Sequence, residues 1–211
     1  MTRAPAKNRR TEPDARREML VAAALRCLVR DGHAGLSVRR IATEAGVSVG
    51  LLNHHFGSID ALIADTYQKL ANELTSALMQ EIEQADTPAA KMDAFLTGSF
   101  APRVMDPQLL GAWVVFWSLI RHSVHVSQAH EKSYRAYLDL LRHLLDDLAA
   151  SEGFVIHDTH LAAIGLSATL DGLWIEWCLN PETFSPANGL HICRCWVKGL
   201  RNGAFSADDV L

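Results

Sequence analysis

Apolar residues recur at helical spacing from Pro13 onward, and this pattern restricts the fold more than any other feature of the chain. Residues three or four positions apart share one face of an α-helix, whereas a half-buried strand alternates apolar and polar residues, and no segment does so. Residues typical of helix starts and helix ends separate the periodic segments. The sequence therefore predicts an all-α fold of about nine helices.

The helix boundaries are marked by short polar residues before a segment and by Gly or Asn-Pro after it. The expected N-caps are Ser37, Ser48, Ser58, Thr87, Asp106 and Ser185. The expected stops are Gly32, Gly46, Gly57, Gly153 and Asn180-Pro181. These positions predict two short helices, 38–45 and 49–55, followed by a helix that runs to about Gln84 and by longer helices after it.

Charge is unevenly distributed along the chain. The 211 residues have a net charge of −4, which by itself argues against a nucleic-acid-binding protein. Resolved along the sequence, residues 1–60 have a net charge of +4 and residues 61–211 a net charge of −8. A basic N-terminal region on an acidic body is typical of an anion-binding module joined to a second functional unit.

Composition excludes several classes of protein. The longest apolar stretch, residues 109–120, is about half of a membrane span and is closed by Arg121. The basic N-terminus lacks the apolar segment of a secretory signal. Four cysteines, Cys27, Cys178, Cys193 and Cys195, are too few for a disulfide scaffold. The sequence therefore predicts a reduced, cytoplasmic protein.

Residues 37–56, SVRRIATEAGVSVGLLNHHF, contain the most specific pattern. Two short helices joined by a turn at Gly46 form a helix-turn-helix, in which Gly46 adopts the left-handed conformation of the turn. Ile41 and Ala42 are small or apolar where the first helix meets the second, and Leu52 holds the second helix to the core. The outward residues of the second helix are then available to DNA.

This region resembles the N-terminal domain of TetR-type transcriptional repressors. The resemblance implies a flexible basic arm over 1–13, a DNA-binding domain over 14–74 with its motif at 37–56, and a ligand-binding and dimerisation domain over 75–211. By position it implies that the second helix enters the major groove, where Asn53 is the best candidate for a bidentate contact to adenine. The residues expected near base edges are Val49, Gly50, Leu51 and Asn53, and those expected near phosphates are Thr43, Ser48, His54 and His55.

One position departs from the TetR pattern. Ile59 stands where the family often has a lysine that contacts a phosphate. We expect the missing charge to be supplied by Arg9 and Arg10 of the arm or by Arg39 and Arg40.

Four of the five tryptophans lie in two clusters in the C-terminal part of the chain. Trp113, Phe116 and Trp117 share one helix face, and so do Asp171, Trp174 and Trp177. A carboxylate buried among rings requires a partner, and tryptophan faces are the best platforms for quaternary ammonium groups. These residues predict a ligand site for a cation. The alternatives are a plain hydrophobic core for the rings and a capping or interhelical hydrogen bond for Asp171.

The segments AWVVFW and LDGLW, together with His122 and Phe184, resemble the C-terminal domain of BetI-type repressors. The resemblance implies a regulator whose operator binding is altered by a small amine such as choline. Trp177 and Glu176 do not match that pattern, so the ligand specificity implied by the resemblance stays open.

Dimerisation is expected because one helix-turn-helix contacts too few bases for specificity, and a two-fold dimer binds a palindrome. The last two helices are the expected interface, with packing inside the monomer as the alternative. Its residues would be Leu161, Ile164, Ala168, Gly172 and Ile175 on one helix and Leu190, Cys193, Val197 and Leu200 on the other.

Two other functions are compatible with parts of the sequence. Cys193 and Cys195, with His191 nearby, would suit a thiol- or metal-responsive regulator, although residues i and i+2 diverge on a helix. A helical enzyme is the second alternative, but no Gly-rich phosphate loop, zinc-protease motif or nucleophile motif is present. We therefore expect a regulator without catalytic residues, cofactor or structural metal.

Overall fold

The structure, a computed structural model, describes residues 12–203, and it confirms the all-α prediction for this range. It contains nine α-helices and a 3₁₀ helix, Gly32–Gly35, with no strand among these residues. The helices are α1 Glu12–Asp31, α2 Val38–Ala45, α3 Val49–Phe56, α4 Ile59–Glu83, α5 Pro88–Ser99, α6 Pro107–Ile120, α7 Val124–Glu152, α8 Thr159–Leu179 and α9 Pro186–Arg201. Arg9 and Arg10 lie outside the described residues.

The helix starts follow from the capping side chains in the sequence. Each of the six predicted caps accepts a hydrogen bond from the backbone N–H three residues later, which satisfies one otherwise unpaired donor. α8 begins at Thr159 and is capped in the same way by Asp158, and α1 begins at Glu12.

Buried side chains form three clusters, and α4 contributes to all of them. Leu62 belongs to an N-terminal cluster with α1, α2 and α3. Ile63, Tyr67 and Leu70 belong to a junction cluster with α1, α6 and α7. Leu78 and Ile82 belong to the large C-terminal cluster with α5, α7, α8 and α9. One continuous helix therefore joins the N-terminal cluster to the C-terminal cluster.

α9 corrects one part of the predicted dimer interface. Cys193, Val197 and Leu200 are buried in the C-terminal cluster of their own chain, so this face of α9 is not available to a partner. Gly189 is needed for this packing, because a Cβ atom there would lie 2.4 Å from the Phe100 ring. The outer face of α9 instead exposes Ile192.

Residues 12–203 contain no single membrane-spanning helix and no cluster of metal-binding side chains. No single helix in this range is long and apolar enough to cross a membrane; α6 and α7 pass that test as a pair, but they are bent by 117° relative to each other. Within the same range, no group of three or more His, Cys, Asp or Glu side chains is arranged to hold a metal ion.

Candidate DNA interface and ligand cavity

The helix-turn-helix is built as the sequence predicts. Ile41, Ala42 and Leu52 are buried between α1, α2 and α3. Gly46 has a φ of 67°, a conformation that favours glycine, and its N–H caps the end of α2. This turn sets the angle at which α3 leaves α2 and leaves one side of α3 uncovered.

Most of the ten residues predicted to contact DNA are exposed, on α3 or on the neighbouring α2. Leu51 and His55 are half-buried, and the other eight predicted residues are exposed: Arg39, Arg40, Thr43, Ser48, Val49, Gly50, Asn53 and His54. A Cβ atom on Gly50 would contact only the Ser48 Oγ, at 3.8 Å, so packing within the chain does not require a glycine there. Because Gly50 has no side chain, the backbone of α3 is accessible from outside at this position.

The two predicted arginines of α2 differ in their surroundings. Arg40 lies 3.2 Å from the Asp31 carboxylate. Hydrogen bonds from Arg30, with help from Arg40, lower the pKa of Asp31, so this carboxylate stays charged. Arg39 is exposed and has no ion-pair partner among residues 12–203. Arg39 is therefore the α2 cation that is free to meet a phosphate.

Arg17 of α1 ties α3 to α4. Its guanidinium lies 2.6 Å from the Asp65 carboxylate of α4 and 4.4 Å from the centre of the Phe56 ring. It also donates a hydrogen bond of 3.2 Å to the carbonyl of His55, at the end of α3. This residue fixes the end of α3 to the helix that continues into the C-terminal part.

A cavity of about 520 Å³ lies between α4, α5, α6, α7 and α8. Its wall is mainly aromatic and aliphatic, which is typical of small-molecule sites. Four of the six predicted ligand-binding residues, Trp113, Trp117, Asp171 and Trp174, line it together. Two clusters that are about 55 residues apart in the sequence therefore meet at one site.

Phe116 and Trp177 do not line the cavity, and the prediction is corrected there. Phe116 is fully buried in the junction cluster, with its ring edge-to-face against Tyr67 at 5.3 Å. Trp177 packs on the C-terminal cluster. Each of these two residues shares a helix face with a residue that lines the cavity, but its own ring packs in a hydrophobic cluster.

Asp171 is the carboxylate in the cavity wall that has no ion-pair or hydrogen-bond partner within residues 12–203. Burial raises the pKa of this carboxyl to about 6. The other charged lining residue, Arg103, is paired with Glu81 at 2.8 Å. The cavity is therefore left with one uncompensated negative charge when Asp171 is ionised.

Tyr67, His130 and Tyr134 form a second polar wall that the sequence did not identify. The Tyr67 hydroxyl and His130 Nδ1 are 2.9 Å apart, and the His130 and Tyr134 rings are stacked at 5.4 Å. Burial lowers the pKa of His130, which favours its neutral form. Because Tyr67 lies on α4 and His130 on α7, a ligand that contacts this pair contacts the helix that reaches the DNA-binding region.

Tyr137 contributes its ring to the cavity wall, whereas its hydroxyl oxygen is buried in the protein. This oxygen has no hydrogen-bond partner in the described part of the chain. Burial raises the pKa of this phenol, with a smaller contribution from Asp171. An unpaired buried hydroxyl is costly, so this group lowers the stability of the folded protein.

The cysteines of α9 do not form one site. Cys193 is buried in the core, whereas Cys195 is exposed, with its Sγ 3.5 Å from His191 Nε2. Burial raises the pKa of the Cys193 thiol to about 11, which disfavours the reactive thiolate.

Comparison with protein families agrees with this architecture. Residues 20–66 match the model of bacterial regulatory proteins of the tetR family. Residues 88–202, more than half of the chain, match the model described as BetI-type transcriptional repressor, C-terminal. The chain belongs to the TetR family of transcriptional regulators and is of the BetI type. Both resemblances inferred from the sequence are thereby confirmed, and the protein is a ligand-responsive, DNA-binding regulator.

Individual relatives support this assignment. The HTH-type transcriptional regulator BetI of Vibrio atlanticus is 29% identical over 81% of this chain and 84% of its own length. The BetI regulator of Brucella canis is 29% identical over 94% of this chain and 97% of its own. A proposed transcriptional regulator from Pseudomonas aeruginosa PAO1 is 44% identical, with a TM-score of 0.84 and coverage of 93% of this chain and 95% of that one. Each of these relatives is described as a regulator of transcription.

A proposed regulator from Saccharomonospora viridis, crystallised with choline, has the same fold at 16% identity. Its TM-score is 0.75, with coverage of 86% of this chain and 95% of that one.

Proposed function

We propose that this chain is a homodimeric repressor whose affinity for a palindromic operator is altered by an organic cation bound beside Asp171. One observation carries the proposal: a carboxylate without a partner lies in a cavity walled by three tryptophans and three tyrosines. Burial of an unpaired carboxylate is unfavourable, and a cation over aromatic faces compensates it. The choline complex of the Saccharomonospora viridis protein supports the same ligand chemistry.

On the DNA side, α3 enters the major groove with Val49, Gly50, Leu51 and Asn53 toward base edges. Thr43, Ser48, His54 and His55 lie near phosphates, and Arg39 and Arg40 supply the charge that Ile59 lacks. The exposure of Asn53 and the accessible backbone at Gly50 support this placement. Because the target is chromosomal DNA, we place the protein in the cytoplasm and on the nucleoid when it is bound.

We propose that the dimer forms through α8 and the outer face of α9. Leu161, Ala168 and Gly172 lie along one exposed stripe of α8, and Leu161 is 53% exposed. Ile192 of α9 is 44% exposed. Apolar side chains of this size on adjacent helix faces are typical of a helix-bundle interface.

We propose a DNA-binding region over 14–74 and a ligand-binding region over 75–211, which divide inside α4 rather than at a loop. A ligand that contacts Tyr67 favours one position of α4, and Arg17 transmits that position to α3. The effector then shifts the population of dimers whose two α3 helices match the operator spacing.

A thiol- or metal-responsive mechanism is the weaker candidate. Cys193 lies in the core and Cys195 on the surface, so no soft-metal or disulfide site joins them within this chain. Cys193→Ser combined with Cys195→Ser should leave the response to an organic cation intact.

Intrinsic tryptophan fluorescence tests the proposed ligand chemistry, because Trp113, Trp117 and Trp174 line the cavity. The probe is choline, and the matched control is dimethylbutanol, in which a carbon atom replaces the charged nitrogen. Choline should quench saturably and bind roughly tenfold or more tightly than the isostere. Equal affinities, or stronger binding of an aromatic acid than of choline, would contradict the proposal.

A further inference from the structure

The size of the cavity exceeds that of a small ammonium head group. A volume of about 520 Å³ corresponds to roughly 17 water molecules at ~30 Å³ each. Choline has seven non-hydrogen atoms and would leave more than half of this space unfilled. Cavities of this volume are typical of ligands of drug-like size.

The cavity is also elongated along α4. Five α4 residues from Tyr67 to Leu78 line it, and at 1.5 Å per residue they span about 16 Å of helix. Besides Asp171 and the aromatic rings, the wall includes Leu74, Leu78 and Val104, with Leu110 and Ile120 of α6. Aliphatic side chains hold water poorly and favour an apolar ligand chain.

The charge of the wall limits the ligand to one positive group. Asp171 is the unpaired carboxylate, Arg103 is neutralised by Glu81, and burial favours neutral His130. A second or third ammonium group, as in a polyamine, would be buried without a counter-charge, which costs several kcal/mol.

We infer that the effector of this regulator is a monocation with an extended apolar body, its ammonium group beside Asp171 and its chain along α4 toward Leu78. This inference depends on the proposed function, since it names the class of cation that the same cavity takes. Asp171 and the surrounding aromatic rings bind the head group, and the length of the body sets the affinity.

A homologous series tests the inference by calorimetry on the full chain. The probes are tetramethylammonium, butyltrimethylammonium and octyltrimethylammonium, all used below the micelle concentration. Affinity should rise about fourfold for each methylene group that the cavity buries. Affinities of the three probes within about threefold of one another would overturn the inference while leaving the cation proposal intact.

A pair of variants places the chain along α4. Thr75 lies on the cavity wall, whereas Ser76, the next residue, is exposed. Thr75→Phe should fill the far part of the cavity, lower the affinity for octyltrimethylammonium at least tenfold and leave tetramethylammonium unchanged. Ser76→Phe is the matched control and should change neither. Equal effects of the two substitutions on the octyl compound would contradict the assigned position.

Octanoate separates failure of the inference from failure of the proposed function. It has a chain similar to that of the octyl probe but the opposite charge, so it should bind at least tenfold more weakly. If octanoate binds as tightly as octyltrimethylammonium, the cavity selects apolar chains regardless of charge, and the cation proposal itself is wrong. If tetramethylammonium and octyltrimethylammonium bind equally and octanoate does not bind, only the inference about length fails.

Discussion

Replacement of Asp171 by Asn should stabilise the ligand-free protein and abolish its response to cations. Burial raises the pKa of the Asp171 carboxyl from 3.8 to about 6. A shift of about two units corresponds to about 3 kcal/mol of folding free energy, which the folded protein loses when this group is ionised. The neutral amide of Asp171→Asn avoids that cost.

The sign of the pH dependence follows from the raised pKa. Above pH 6 the carboxyl is ionised in both folded and unfolded chains, so the full cost is present. As the pH falls from 6 to 3.8 the folded protein binds the proton first, and the cost disappears. Asp171→Asn should therefore raise the free energy of unfolding by up to about 3 kcal/mol at pH 8 and by little at pH 4.

Urea denaturation at pH 8 and pH 4, at one fixed protein concentration, measures this difference. Asp147→Asn is the matched control, because Asp147 is exposed on α7 and its replacement should alter stability at neither pH. A lower stability of Asp171→Asn at pH 8, or an equal change at the two pH values, would refute the reasoning that Asp171 is a buried, unpaired charge.

Three further predictions concern other parts of the molecule. Tyr137→Phe removes a buried hydroxyl without a partner in the described part of the chain, so thermal unfolding should show about 1 kcal/mol of added stability. Gly50→Ala should raise stability by up to about 1 kcal/mol, since Ala favours helix, yet lower DNA affinity in gel-shift assays. Arg39→Ala should lower the slope of log DNA affinity against log salt concentration by about one, the contribution of one phosphate contact. Arg40→Ala should lower this slope by less, because Arg40 is paired with Asp31.

Local chemistry made the helix boundaries predictable. Thr87-Pro88, Asp106-Pro107 and Ser185-Pro186 each provide a capping oxygen and a residue fixed in helical φ, and each helix begins there. The helix-turn-helix was equally accessible to prediction, because its caps, turn glycine and buried residues lie within twenty consecutive positions. Such features depend on neighbours in the sequence and not on the rest of the fold.

The cavity was only partly predictable, because helical periodicity identifies a buried face but not what the face meets. Tyr67, Tyr134 and Tyr137 recur with apolar residues at helical spacing, a pattern that indicates only a buried helix face, whereas the structure places all three on the cavity wall. Phe116 shows the opposite difference, since it packs against Tyr67 rather than facing the cavity. The distances between α4, α6 and α7 decide these outcomes.

The same limit applies to α9. Its apolar stripe, with Cys193, Val197 and Leu200, correctly indicated a buried face, but the sequence did not distinguish burial within the chain from burial against a partner. Gly189 is the sequence feature that indicates burial within the chain. A glycine inside a helix indicates close approach of another side chain, which here is Phe100.

The central claim is that a cation beside Asp171 alters DNA binding, and one measurement tests it directly. A palindromic duplex selected from a random pool serves as the DNA probe, and its anisotropy gives the dissociation constant with and without octyltrimethylammonium. The wild-type constant should change by roughly 5- to 150-fold, whereas Asp171→Asn should bind the duplex with the ligand-free affinity and show no change. An unaltered response of Asp171→Asn to the cation, with normal DNA binding, would contradict the account.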